Sequence, residues 1–141
     1  MIDALTNEIN RECLLTRTRQ ISRVITSIYD QQLRPFGINA PQFSLLVVVA
    51  RLGEASRAEI GRQNHQERST LTRNLQLMLS EGWITESASN SRGRGRAIVI
   101  TKAGRKLLSD AAPAWRAAQK LGKDLLGENG VAAVKSVAKG L

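Results

Sequence analysis

Apolar residues recur at helical intervals along most of the chain, and the breaks in that pattern mark where the backbone turns. From residue 8 to about residue 34, Leu14, Ile21, Val24, Ile25 and Ile28 fall on one side of a helix, with Arg17, Arg19 and Arg23 between them. Pro35 and Gly37 end it. Ile9, Leu14, Leu15 and Leu33 extend the apolar stripe beyond what a small core needs, which points to packing on another chain. Asn39-Ala40-Pro41 offers a cap with proline in the first turn, and QFSLLVVVARLG runs from there to a terminating Gly53. Val47 to Val49 has strand propensity, but the proline start, the length and the glycine stop predict a buried helix. Ser56 and Glu59 have capping-box spacing and open a short helix containing Ile60, which Gly61 and Asn64 loosen or end. The next helix spans Gln66 to Gly82. Leu71, Leu75, Met78 and Leu79 share one side of it, while Ser69, Arg73 and Gln76 share another at i, i+4, i+7. Two short helices joined by a turn outline a helix-turn-helix.

After Gly82 the period changes. Trp83 to Glu86 and Arg96 to Thr101 are strand-like and flank SASNSRGRG, which predicts a hairpin with a basic tip. There Arg92, Arg94 and Arg96 alternate with Gly93 and Gly95, so the backbone can come close to a surface while guanidinium groups reach phosphate or a narrow minor groove. Thr101 caps a long helix from Lys102 to about Leu126 that Pro113 should kink, and a last helix runs from about Asn129 to Lys139. Its Ala111, Ala112, Ala114, Trp115, Ala117, Ala118, Leu121, Leu125 and Leu126 pair best with the first helix and, across a two-fold axis, with a second subunit. The fold class is therefore mostly α with a small β-hairpin.

Composition agrees. At 42% hydrophobic but 4% aromatic, the core must be built from Leu, Ile, Val and Ala, as in helix-on-helix packing. The net charge of +9 points to a polyanionic partner, and it is uneven: +5 between Gly37 and Arg105, against +1 before and +3 after. Every basic residue of that middle stretch except Lys102 is arginine, whose planar fork suits phosphate and guanine. The helix from Gln66, presenting Ser69, Arg73 and Gln76 outward with Arg68 near its start, has the chemistry of a major-groove reader.

Cys13 is the only cysteine, so neither an intramolecular disulfide nor a cysteine-rich zinc site can form. His65 is the only histidine, with no nucleophile or second ligand placed beside it, so no enzymatic constellation, metal site or cofactor is expected. Its expected role is a turn or a phosphate contact. Cys13 has two readings: a small buried hydrophobe, or an oxidant-sensing thiol favoured by Arg11 and Arg17 and opposed by Glu12. The charged opening residues and the shortness of Leu45 to Ala50, the longest apolar run, lead us to expect no signal peptide, no membrane contact and a cytoplasmic location.

Phe36-Gly37 with PQFSLLVVVARLGEAS, then AEIGRQNHQERSTLTRNLQLMLSEGWI, then Arg94 and VITKAGRKLL, resembles the MarR family of bacterial winged helix-turn-helix transcription regulators over about Thr18 to Gln119. The resemblance implies a homodimer on a pseudo-palindromic double-stranded DNA operator. Residues 1–36 and 106–141 would be dimerisation helices around a DNA-binding domain at 37–105. Ser69, Thr70, Thr72 and Arg73 would touch bases or phosphates, and Arg94 would be the wing arginine. Family wings carry an acid two positions before that arginine, where this chain has Arg92. The resemblance also implies a repressor released by a small-molecule effector. Arg17, Arg23 and Tyr29 offer chemistry for an anionic aromatic compound where the dimerisation helices meet the winged unit. Two alternatives stand beside this: an oxidant-sensing repressor using Cys13, and a sequence-tolerant architectural DNA-binding protein.

Overall fold

The computed structural model of the chain describes residues 2–90 and 95–141. In order these form α1 (Ile2–Glu12), α2 (Leu14–Leu33), a 3-10 turn (Arg34–Phe36), α3 (Ala40–Leu52), α4 (Arg57–Asn64), α5 (Arg68–Ser80), β1 (Ile84–Asn90), β2 (Arg96–Ile100) and α6 (Lys102–Lys139). The fold is mostly helical with one antiparallel hairpin.

The helix starts follow local chemistry. Asn39 and Gln42 form a reciprocal capping box at α3: Asn39 Oδ1 accepts the Gln42 N–H at 2.9 Å, and Gln42 Oε1 accepts the Asn39 N–H at 3.1 Å. Ser56 Oγ accepts the Glu59 N–H at 3.2 Å to start α4, but the Glu59 carboxylate meets the Ser56 hydroxyl instead of returning to its N–H, so only half the expected box forms. Gly61 sits inside α4 and does not end it. A side chain there would press on Leu71 Cδ2 at 3.0 Å, so the glycine lets α5 cross closely. The end comes at His65, in the left-handed region at φ 49°, whose N–H closes back on Arg62. The sole histidine is thus the turn residue between the two helices.

The expected single helix from residue 8 to 34 is corrected to two. The chain is helical from Ile2, breaks at Cys13, whose ψ of 114° is extended, and resumes at Leu14. Leu33, read as part of an outward stripe, is fully buried in this chain's own core. At the other end, α6 stays helical through Pro113, and the break falls at Gly127, where φ is +73° and ψ 169°. Only glycine enters that region cheaply, so the joint between the last two helical segments lies there.

Leu33, Leu45, Leu46, Val49, Ile60, Leu75, Met78, Ile84 and Ile98 form the fully buried centre, each contributing about 1.5–3 kcal/mol by leaving water. It lies where α3 packs on α2, α4, β2 and α6, with α5 held against β1. Ile84 pairs with Ile100, Thr85 with Val99 and Glu86 with Ile98, and the register then shifts before Asn90 reaches Arg96. Ala55 forms an isolated bridge with Ile98 on the far side of β2 from β1, which the alternation pattern did not announce. Among the described residues no single helix is long and apolar enough to cross a membrane.

Candidate nucleic-acid interface

Helix α5 owes its orientation to Leu71, Leu75 and Met78, which are buried while Leu79 is half-buried. Fixing those positions inward leaves Arg68, Ser69, Thr72, Arg73 and Gln76 exposed on the opposite face, with Thr70 half-buried at its edge. The structure therefore gathers six predicted residues, Arg68, Ser69, Thr70, Thr72, Arg73 and Gln76, on one element. Thr72 is partly committed, because its hydroxyl donates to the Arg68 carbonyl at 2.8 Å. Leu77, 44% exposed at the border of that face, was not singled out in the sequence. Leucine at a helical interval reads as core until the axis of burial is known.

The first turn of α5 has Glu67 as its extended cap residue, with no side-chain capping bond and no acid in the turn. Its leading N–H groups and positive dipole end are free for a phosphate. Arg57, Arg62, His65 and Arg68 surround the adjoining groove between α4 and α5, all of them exposed.

Arg96 begins β2 and is exposed, whereas Arg92 and Arg94 lie outside the described residues. The hairpin base carries two cross-links. Arg57 Nη2 donates to Glu86 Oε1 at 2.7 Å, and Ser87 Oγ donates to Glu54 Oε1 at 2.8 Å. The Arg57 guanidinium, with a smaller contribution from Arg96, holds the Glu86 carboxyl below its usual range.

Away from this face, a crevice of about 500 Å³ lies between α2, α3 and α6, with Tyr29, Phe43, Val47, Asn64 and Trp115 among its walls. The Tyr29 hydroxyl donates to Gln119 Oε1 across the α2–α6 contact, and burial raises its pKa. Arg17 and Arg23 do not line the crevice; both are exposed on α2. Cys13 is half-buried at the α1–α2 break. Its thiol is held below the usual range by the Thr16 hydroxyl and N–H rather than by the flanking arginines. Arg11 pairs with Glu12 at 2.7 Å, and Arg17 reaches Gln20 at 3.3 Å. The signal for that shift was the Cys-x-x-Thr spacing at a helix start, which depends on a break the sequence pattern did not reveal.

A family model described as MarR family matches residues 36–95. The transcriptional regulator MosR of M. tuberculosis, solved in complex with DNA, is 32% identical, with a TM-score of 0.73 over 92% of this chain and 98% of that one. A mutant MarR from E. coli complexed with operator DNA superposes with a TM-score of 0.81 over 94% and 95% of the two chains, at 18% identity, and so speaks for the fold. The uncharacterized HTH-type transcriptional regulator YwoH of Bacillus subtilis (strain 168) is 29% identical over 98 residues, 70% of each chain. The buried and exposed faces of α5, the hairpin beside it and these likenesses agree: the chain belongs to the MarR family of winged helix-turn-helix transcription regulators and is not an enzyme.

Proposed function

We propose that this protein is a homodimeric, sequence-specific DNA-binding repressor that acts in the cytoplasm and is released from a pseudo-palindromic operator by a small molecule. The observation that carries the reading is the row of Arg68, Ser69, Thr72, Arg73 and Gln76 along the exposed face of a helix whose other face is locked into the core. Arginine there offers two donors to the O6 and N7 of guanine, and glutamine one donor and one acceptor to the N7 and N6 amine of adenine, in a major groove. The uncapped first turn and Arg62 offer phosphate contacts that set the register of the helix on the duplex. Arg92, Arg94 and Arg96 would add the wing's grip.

Dimerisation is supported by apolar side chains that this chain leaves in water. Ile2, Leu5 and Ile9 on α1, Leu14, Leu15, Ile21 and Val24 on α2 and Leu121, Leu125, Val134 and Val137 on α6 are all exposed, and a second copy would cover them with the chain's own chemistry. That distribution supports a division into dimerisation segments at 1–36 and 106–141 around a DNA-binding domain at 37–105. Effector release is supported by the largely apolar crevice beside Tyr29 and Trp115, which lies where α2 and α6 meet the winged unit. A small aromatic compound matches its walls, which are apolar and aromatic side chains with the Tyr29 hydroxyl, Thr26, Ser44 and Asn64 as the polar groups.

Selection of genomic fragments followed by footprinting tests the reading. Two protected half-sites about one helical turn apart, with a preference over random DNA of roughly 10³ or more, are expected. Equal binding to random DNA would instead favour an architectural protein.

A further inference from the structure

We propose that the wing is braced at its base by Arg57 and Glu54, which flank Ala55 and grip Glu86 and Ser87 of β1 across the intervening strand, and that this brace sets the angle at which the wing meets DNA. The brace itself is a property of the free protein; its consequence for DNA rests on the function proposed above.

The geometry runs through one rung of the sheet. Ile98 of β2 pairs with Glu86 on one side and with Ala55 on the other, through the Ala55 N–H to Ile98 carbonyl bond at 3.3 Å and its reciprocal at 2.8 Å. Ala55 is bracketed by Glu54 and, past the helix cap Ser56, by Arg57 at the first position of α4. Arg57 reaches over β2 to Glu86 at 2.7 Å, and Glu54 accepts from Ser87 at 2.8 Å. Successive residues of an extended strand leave opposite faces, so neighbouring Glu86 and Ser87 let β1 be held from both sides. The register shifts just beyond Glu86, making this rung the last regular one before the tip. A two-stranded ribbon is marginal by itself and free to twist, so what holds this rung governs the twist of the hairpin relative to α4. Because Arg57 opens α4, the brace ties the wing to the helix that supports α5.

This assigns an acid a positive role in a basic DNA-facing region, and that fixes the sign of the test. By charge alone, Glu86→Gln removes a repulsion and tightens operator binding. Through the brace it weakens operator binding by about two- to fivefold, the range of an exposed ion pair. Footprint protection flanking each half-site would be lost, while protection at the α5 contacts would stay. In the Arg57→Gln background the same change should have no weakening effect, since the partner is already gone. Hydrogen exchange in the absence of DNA supplies the second readout: hairpin amides should exchange faster in Glu86→Gln than in the native protein, with α2 amides unchanged. Tighter or equal binding by Glu86→Gln, or unchanged hairpin exchange, would overturn the brace. A native protein that leaves no footprint, yet shows the exchange difference, would overturn the DNA reading and leave the brace standing.

Discussion

Gly104 stands against the carbonyl oxygen of Trp83 with no room for a side chain between them. A β-carbon at Gly104 would overlap that oxygen and lie 2.8 Å from Ile100 Cγ1. The same oxygen accepts the Thr101 N–H at 3.0 Å, while the Thr101 hydroxyl bonds the Gly82 carbonyl at 2.6 Å and accepts the Gly104 N–H at 3.0 Å. The end of α5, the return of β2 and the start of α6 are therefore joined at one point. Gly104→Ala should destabilise the protein by about 1–3 kcal/mol through overpacking, read as a lower denaturant midpoint with an unchanged slope. Native stability of that variant would show the joint to be looser than its geometry.

Arg73 and Arg94 should fail in different ways. Arg73→Ala is expected to cost roughly 1–3 kcal/mol at the preferred operator and to relax base preference at one position of each half-site. Arg94→Ala should weaken many sequences alike and reduce the salt slope by about one, since it removes a charge held against the backbone or groove. Titrations at several salt concentrations against operator and scrambled duplexes separate the two, and an unaltered operator footprint for Arg73→Ala would refute the assignment of α5.

Tyr29 is the only tyrosine, so its ionisation can be followed directly in the absorbance spectrum. Burial lifts its pKa above the ordinary 10.0. Because the folded state holds the phenol proton more tightly than the unfolded state, the associated stability is complete below pH 10.0 and is lost as pH rises through the folded value. Spectrophotometric titration should place the folded midpoint above that of the denatured chain. Tyr29→Phe should remove this component of alkaline destabilisation and lose the bond to Gln119, costing about 1 kcal/mol at neutral pH.

Leu125 tests the second copy. It is 52% exposed on α6, so Leu125→Glu should leave the monomer's stability within about 0.5 kcal/mol while shifting sedimentation toward the monomer and weakening binding to a two-half-site operator. An unchanged dimer would place the interface elsewhere.

Cys13 provides the redox test. With its thiol shifted toward ionisation by Thr16, hydroperoxide treatment should release the native protein from operator DNA and spare a Cys13→Ser variant if the thiol is a sensor. Equal behaviour of the two proteins would assign the residue to packing at the helix break.

Much of this was legible in the chain because the signals are local. Asn39 before Pro41, Ser56 before Glu59 and Thr101 before Gly104 each act within one helical turn, and the i, i+4, i+7 spacing of Leu71, Leu75 and Met78 already separated the inner from the outer face of α5. Residues 3 to 4 apart must share a helix face wherever the helix is placed, so Ser69, Arg73 and Gln76 could be grouped without knowing what lay behind them. The family resemblance added Thr70 and Thr72 to that face and gave Arg94, already grouped with Arg92 and Arg96 in the basic tip, the role of wing arginine.

Relations between distant segments were beyond such signals. Leu33 looked like an outward stripe residue because a period says which side is apolar but not what covers it, and only packing into the shared core buried it. Ala55 became a strand partner because β2 arrived beside it, and Glu86 became the partner of Arg57, 29 residues away, for the same reason. The break at Gly127 falls where the sequence ended one helix at about Leu126 and began the next at about Asn129, because a positive φ stops a helix, whereas Pro113 lies within the helical run since a helix can lose one N–H and continue. Capping, face and charge are properties of a few consecutive residues and were determined by sequence alone. Burial, strand pairing and the crevice beside Tyr29 depend on which surfaces meet, and tertiary structure decided them.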